Sequence, residues 1–252
     1  MSYKKRKGEP LAGERPLFVL GTRSMSETTS FSEKVNTNTI KPRTRVYIDG
    51  FNWYYGVFRH KPGWKWLNIK SWFDEIRPHE DIQKIYLFSA KIDPDVVSSS
   101  GRNRQELYWR ALQTVEGVKI VEGQYQKRTV RCGARCLEEY QTAEEKKTDV
   151  NIAVQMINDS IKGSIDSIVL VSGDSDLQPA VIWIKENHPN IKLTVYIPAI
   201  EEERENRNIK FYAHHKIECR WMPLKNLDKH QLPDKVPYAN QLFIERPASW
   251  KK

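Results

Sequence analysis

The chain carries only three cysteines among 252 residues. That is too few for a disulfide framework, so a reducing, cytoplasmic setting is expected. It has no apolar run of the about 18 residues that a spanning helix needs, and neither a transmembrane helix nor a membrane partner is expected. The first residues include Lys4-Lys5-Arg6-Lys7, but no apolar stretch follows them, so no secretory signal is expected. The phosphate-cradling pattern Gly-x-x-x-x-Gly-Lys-Ser/Thr is absent, which argues against an NTPase. The dinucleotide fingerprint Gly-x-Gly-x-x-Gly is absent too, which lowers a flavin or nicotinamide reading without excluding it. No Ser–His–Asp order is defensible, the six histidines offer no convincing general base, and no internal repeat is found.

What is present is positive charge, aromatic residues and aspartates at particular places. Lys and Arg number 41 against 32 Asp and Glu, a net charge of +9. Such a balance favours an anionic partner, nucleic acid first, although part of the excess sits in the tails. A hydrophobic share of 39% with 11% aromatics suits an α/β domain. The chain divides into a flexible basic arm over 1–42, one domain over 43–225 and an irregular, Pro-bearing tail over 226–252. Within the arm, residues 17–20 suit an edge strand.

The stretch Val171-Ser172-Gly173-Asp174-Ser175-Asp176 is where the chemistry converges. An apolar run stops at two aspartates, and a helical pattern over 177–187 starts straight after. Ser175 or Asp176 there suits a helix cap. Residues 43–49 form another strand ending at an acid, Asp49, with Asn52 close behind. A third acid, Asp149, opens a helix over 149–162 whose apolar face reads as Val150, Ala153, Val154, Ile157 and Ile161. Further strands are expected at 83–90, 118–124, 165–172 and 191–197, with a possible edge strand at 217–222, and helices at 69–76 and 102–116. Strands separated by helices predict a three-layer α/β sandwich around a mainly parallel, about five-stranded sheet. In such a sheet ligands bind at the carboxyl ends of the strands. That is where Asp49, Asp149, Asp174 and Asp176 would gather, with Asn52 and Glu145 near them in sequence.

Clustered carboxylates repel unless a cation neutralises them. All-oxygen donors suit a hard ion, Mg²⁺ or Mn²⁺, which also meets phosphate. Acids plus basic character therefore point to a metal-dependent phosphodiesterase. Arg102 and Arg104 open the 102–116 helix, and Lys127, Arg128, Arg131 and Arg135 make a basic stretch in the charged, irregular segment 125–148. Arg102, Arg104, Arg128 and Arg131 are expected to contact RNA backbone, and Lys146 or Lys147 to face phosphate. The aromatic cluster over 52–59 is mostly core with some capacity to stack bases, while Trp64 and Trp66 suit a substrate-facing loop. Cys132 and Cys136 supply at most half a zinc site. The other half needs Cys219 with His214 or His215, and the plainer reading is a pair of loop thiols.

Three segments together carry a resemblance: Tyr47-Ile48-Asp49-Gly50-Phe51-Asn52, then residues 145–153 with Thr148-Asp149-Val150-Asn151, then Val171-Ser172-Gly173-Asp174-Ser175-Asp176. In this order they resemble the signature segments of the NYN domain family, in its LabA-like branch, over roughly 43–200. The resemblance implies a PIN-like nuclease fold, a divalent-metal site of acids and ribonuclease activity on single-stranded or structured RNA. Asp49, Asp149 and Asp174 would hold metal directly. Asp176 would bind a second metal or a water, and Asn52 and Ser172 would orient ligands or the scissile phosphate. RNA is the partner implied, and a homodimer is compatible with it. Two alternatives accompany it. One is an RNA-binding regulatory module with a weak or silent metal site. The other is a small-molecule monooxygenase, since proteins resembling this branch have been linked to hydroxylation of a pyridine ring.

Overall fold

Apolar residues alternate sides along each central strand, and that alternation builds two cores on one sheet. In the computed structural model, which describes residues 40–93, 99–131, 139–200, 206–239 and 242–251 (backbone only for 125–131 and 139–145), six strands form the main sheet. They are β1 (Arg43–Asp49), β2 (Asp81–Ser89), β3 (Val118–Glu122), β6 (Ser167–Val171), β7 (Lys192–Ile197) and β8 (Glu218–Trp221), in the spatial order β3-β2-β1-β6-β7-β8. Every neighbouring pair is parallel. The strand expected only at the edge, 217–222, completes the sheet as its sixth member.

Val46, Ile48, Ile85, Leu87, Val169 and Val171 face one core, whereas Tyr47, Tyr86, Phe88, Ile168 and Leu170 face the other. This is the period of two that a strand buried on both faces requires. The first core is covered by α1 (Gly50–Trp53), α2 (Ile69–Ile76) and α3 (Ser99–Leu112), the second by α4 (Thr148–Ile161), α5 (Gln178–Asn187) and α6 (Arg207–His214). The result is the expected three-layer sandwich, and residues 40–252 form one compact unit.

Four sequence expectations are corrected. The segment 125–148 is not irregular: β4 (Gln124–Arg131) and β5 (Glu139–Lys146) pair antiparallel as a ribbon. Thr, Val and Tyr interleave there with the charges, and a ribbon satisfies its backbone ladder without an apolar face for a pattern reading to detect. The tail is not irregular either. β9 (Lys235–Tyr238) and β10 (Leu242–Glu245) form a hairpin, and Leu232, Val236, Ile244 and Trp250 are buried in the first core. These residues enter singly between prolines, without periodicity.

Trp66, expected to face substrate, is fully buried and donates its indole N–H to Pro233 O at 2.9 Å; Trp64 is half-buried. The apolar face of α4 is also rotated from the expected one. Ile152, Met156 and Asp159 are buried, whereas Val150, Val154 and Ile161 are exposed. Asp159 explains the rotation. It accepts from Tyr47 Oη at 2.8 Å and pairs with Arg45 at 2.6 Å, so its side chain must face the sheet. The basic arm, the strand at 17–20, and Cys132, Arg135 and Cys136 lie outside the described residues.

Candidate active site

Strand register places the acids. Ile48 pairs with Val171, so the next residues, Asp49 and Ser172, leave the sheet side by side. They do so between β1 and β6, where the chain order of the strands reverses direction across the sheet. In open α/β sheets that switch point opens a crevice for ligands.

Asp49 is 2% exposed, and its carboxylate is saturated. Oδ1 accepts from the backbone N–H of Phe51 at 3.1 Å and of Asn52 at 3.0 Å. Oδ2 accepts from Asn52 Nδ2 at 2.8 Å and Ser172 Oγ at 2.9 Å. Asp49 is thus the N-cap of the helical segment 50–58. Gly50 lets that segment start against β2, since a Cβ there would stand 2.7 Å from Phe88 O. The segment continues as a single π-turn, Tyr54–Phe58, a departure frequent at functional sites. Burial raises the Asp49 carboxyl above its ordinary range, against the pull of its hydrogen bonds.

Asn52 spans the crevice. Its Nδ2 holds Asp49, and its Oδ1 accepts from Gly173 N at 3.2 Å. Ser172 Oγ in turn accepts from Asp174 N at 3.0 Å, and Asp174 Oδ1 accepts from Asp176 N at 2.9 Å. One hydrogen-bonded chain therefore joins Asp49, Asn52, Ser172 and Asp174. Asp174 is half-buried and Asp176 exposed. Asn208, which the sequence reading missed, braces the same turn through Nδ2 to Gly173 O at 2.7 Å. No periodicity or spacing marks Asn208; the fold alone brings α6 to the turn.

Asp149 enters through charge. Burial, then Asp49, Asp174 and Asp176, raise its carboxyl from 3.8 to about 6. It stands in the first turn of α4, behind Lys147, which adopts φ 73° to swing the chain out of β5. Asp159, ten residues on, pins the helix to β1 and so helps position it.

The basic residues are less convergent. Lys147 Nζ is engaged by Gln124 Oε1 at 2.6 Å and Arg102 by Glu106 at 3.0 Å. Lys146 is exposed. Because α3 begins at Ser99, Arg102 and Arg104 sit in its body rather than at its start. Arg128 and Arg131 lie on β4. For zinc, Cys219 is a free thiol pushed up to about 12 by burial, not a ready thiolate.

Among the described residues, no three His, Cys, Asp or Glu side chains are arranged to enclose a metal ion. The chemistry of the four aspartates nevertheless fits one. They are hard oxygen donors, and their mutual repulsion at Asp149 is what a divalent cation would relieve. A prediction follows for the metal-free protein. Asp149 is raised in the folded state, so that state takes up its proton first. Stability then increases as pH falls from above 6 towards 4, and the full cost is present above 6. After discounting for solvent screening the gain is about 1 kcal/mol, or about 2–4 °C in Tm. Thermal melts in EDTA at pH 7.5 and 5 should show that rise in the wild type and a smaller one in Asp149→Asn. Equal slopes would contradict the charge coupling.

The comparisons agree with this architecture. The NYN domain model matches residues 43–218. The chain belongs to the NYN domain family. It is also 32% identical over 243 residues, covering 82% of this chain and 75% of the other, to a Pseudomonas putida protein named 6-hydroxy-3-succinoylpyridine 3-monooxygenase HspA. No solved structure matches. Among the described residues, no helix of this NYN protein is long and apolar enough to cross a membrane.

Proposed function

We propose that this NYN protein, read as a member of the LabA-like branch, is a metal-dependent endoribonuclease that hydrolyses RNA phosphodiester bonds at the aspartate cluster. The observation that carries the reading is the gathering of Asp49, Asp149, Asp174 and Asp176 within electrostatic reach at the sheet's switch point. A net charge of +9 supports an anionic substrate.

Asp149, Asp174 and Asp176 would hold Mg²⁺ or Mn²⁺, and Asp49 would join them on giving up one of its four bonds. When bound, the ion supplies water of lowered pKa and charge to stabilise the leaving oxygen. Asn52 and Ser172 keep the Asp49 carboxylate aimed and hold the turn that carries Asp174. Arg104, Lys146, Arg128 and Arg131 would meet the RNA backbone, which makes binding salt-sensitive. Arg102, paired with Glu106, and Lys147, bonded to Gln124, would join them on exchanging those partners, as would any other of these cations that is engaged.

The test is a panel of labelled single-stranded RNA, hairpin RNA and DNA, incubated with Mg²⁺, Mn²⁺ or EDTA. RNA cleavage that needs metal should fall by about 100-fold or more in folded Asp149→Asn and Asp174→Asn, each of which removes a ligand charge. Cleavage unchanged in both variants would overturn the assignment. RNA binding without cleavage would favour a regulatory module instead. The name of the Pseudomonas putida relative favours a second reading, a monooxygenase acting on a pyridine ring. That activity would require dioxygen and a reductant, and reduced nicotinamide consumed only in the presence of an aromatic substrate, with the hydroxylated ring as product, would establish it.

A further inference from the structure

Beside the acids lies a cavity of about 370 Å³ that none of the four aspartates lines. Gly50 and Phe51, which follow Asp49 directly, line it together with Gly101, Arg104, Gln105, Tyr108 and Trp109 of α3. Its size is that of a small-molecule site. Its composition is unusual, with aromatic rings from three parts of the chain: the 50–58 helical segment, α3 and Trp250. At the rim Phe51, Tyr54 and Tyr55 are 39%, 41% and 48% exposed. They are held in mutual contact, Phe51 and Tyr55 with centroids 4.5 Å apart and Tyr54 and Tyr55 at 5.3 Å. Exposed aromatics fixed in tilted and edge-to-face contacts leave ring surface for a flat ligand.

The cations at this cavity are of two kinds. Arg59 lies over Tyr55 at 5.3 Å, and Lys65 lies over Tyr54 at 5.0 Å, so both are used to order the rim. Arg104 differs. It is half-buried and lines the cavity, yet it has no hydrogen-bond, ion-pair or ring partner among the described residues. Two of its neighbours on α3 are engaged: Gln105 holds Ala90 O at 3.0 Å and Ile92 N at 2.8 Å, and Tyr108 donates to Leu67 O at 2.8 Å. The α3 wall is thus anchored at Gln105 and Tyr108, while the Arg104 guanidinium is uncommitted among the described residues. A partly desolvated guanidinium without a counter-charge favours an anion that brings planar acceptors.

We propose that this cavity binds a planar aromatic ring carrying an anionic arm, the ring stacked among the rim aromatics and the carboxylate or phosphate paired with Arg104. Two sources share this chemistry, a nucleotide of a bound RNA and a free aromatic acid. The position beside Asp49 would bring either to the acid cluster. The inference does not depend on cleavage.

Titration calorimetry on the full chain in EDTA tests it apart from any reaction. The probes are adenosine 5′-monophosphate, pyridine-3-carboxylate, cyclohexanecarboxylate and inorganic phosphate. At least one aromatic anion should bind about tenfold or more tightly than both cyclohexanecarboxylate and phosphate. Arg104→Met, which removes the charge but keeps an apolar stem, should weaken that binding about tenfold, and Tyr55→Ala should weaken it too. Preference for the nucleotide identifies RNA as the source; preference for the pyridine acid identifies a small molecule. If neither aromatic anion outbinds the two controls, or if Arg104→Met and Tyr55→Ala both bind like wild type, the proposal is wrong. A cleavage result leaves it untouched either way.

Discussion

Replacing Arg77 by methionine should destabilise the protein by about 3–5 kcal/mol, the usual cost of leaving one member of a buried ion pair alone. Arg77 is 7% exposed. It donates to Glu80 through Nε at 2.7 Å and Nη2 at 2.5 Å, and through Nη1 to Tyr196 Oη at 2.7 Å. Glu80 also accepts from Thr44 Oγ1 at 2.9 Å, so the pair links α2 to β1 and β7. Without the guanidinium, Glu80 becomes a buried carboxylate with one hydroxyl donor. The hydroxyls around the pair each have a second partner: Tyr196 has Arg220, Thr194 has Glu218, and Thr44 has Pro42 O. The double variant Arg77→Met/Glu80→Met should therefore recover at least half of the loss. Urea unfolding of the two variants decides the matter. A loss below about 1 kcal/mol in the single variant, or no recovery in the double, would mean that solvent already screens the pair.

How much of this molecule was legible follows from what sequence patterns record. An apolar run stopping at an acid is visible in one dimension, so Asp49, Asp174 and Asp176 were found at strand ends, and the parallel register then brought Asp49 to Ser172. Helix spacing found the start of α4 and hence Asp149. The same spacing misassigned its buried face, because Asp159 is polar and is buried by partners on β1 that sequence distance conceals. Trp66 and Trp250 read as loop and tail residues, yet both are core residues whose rings lie 6.2 Å apart across 184 positions of chain. Likewise, Gly56 carries no local signal, although a Cβ there would meet Pro198 O at 2.1 Å. Each miss concerns a long-range contact by a residue whose local pattern points elsewhere, a case of tertiary context overriding propensity.

Asp49 is where fold and site depend on the same atoms, and two substitutions should separate its roles. Asp49→Ala removes an N-cap worth about 0.5–2 kcal/mol. It also strips the acceptor from Asn52 Nδ2 and from Ser172 Oγ beside a buried strand end. Each donor left unsatisfied adds about 1–3 kcal/mol. Relief of a desolvated charge offsets part of the sum, for a net loss of about 3 kcal/mol by the same reckoning. Asp49→Asn keeps the acceptor for the Phe51 and Asn52 backbone N–H groups but turns an amide N–H₂ towards Asn52 Nδ2. Asn52 cannot flip to accommodate it without losing Gly173 N. The Asn variant should therefore fold with a smaller loss, about 1–2 kcal/mol, and with a loosened Gly173 turn. It should also lower the Asp149 carboxyl towards its ordinary range, because Asp49 is the foremost charge acting on it. The gain in stability on going from pH 7.5 to 5 in EDTA should then shrink in Asp49→Asn as well. If Asp49→Asn keeps the wild-type pH slope while Asp149→Asn loses it, the two carboxylates do not share a field, and the reading of one site across the β1–β6 crevice fails with it.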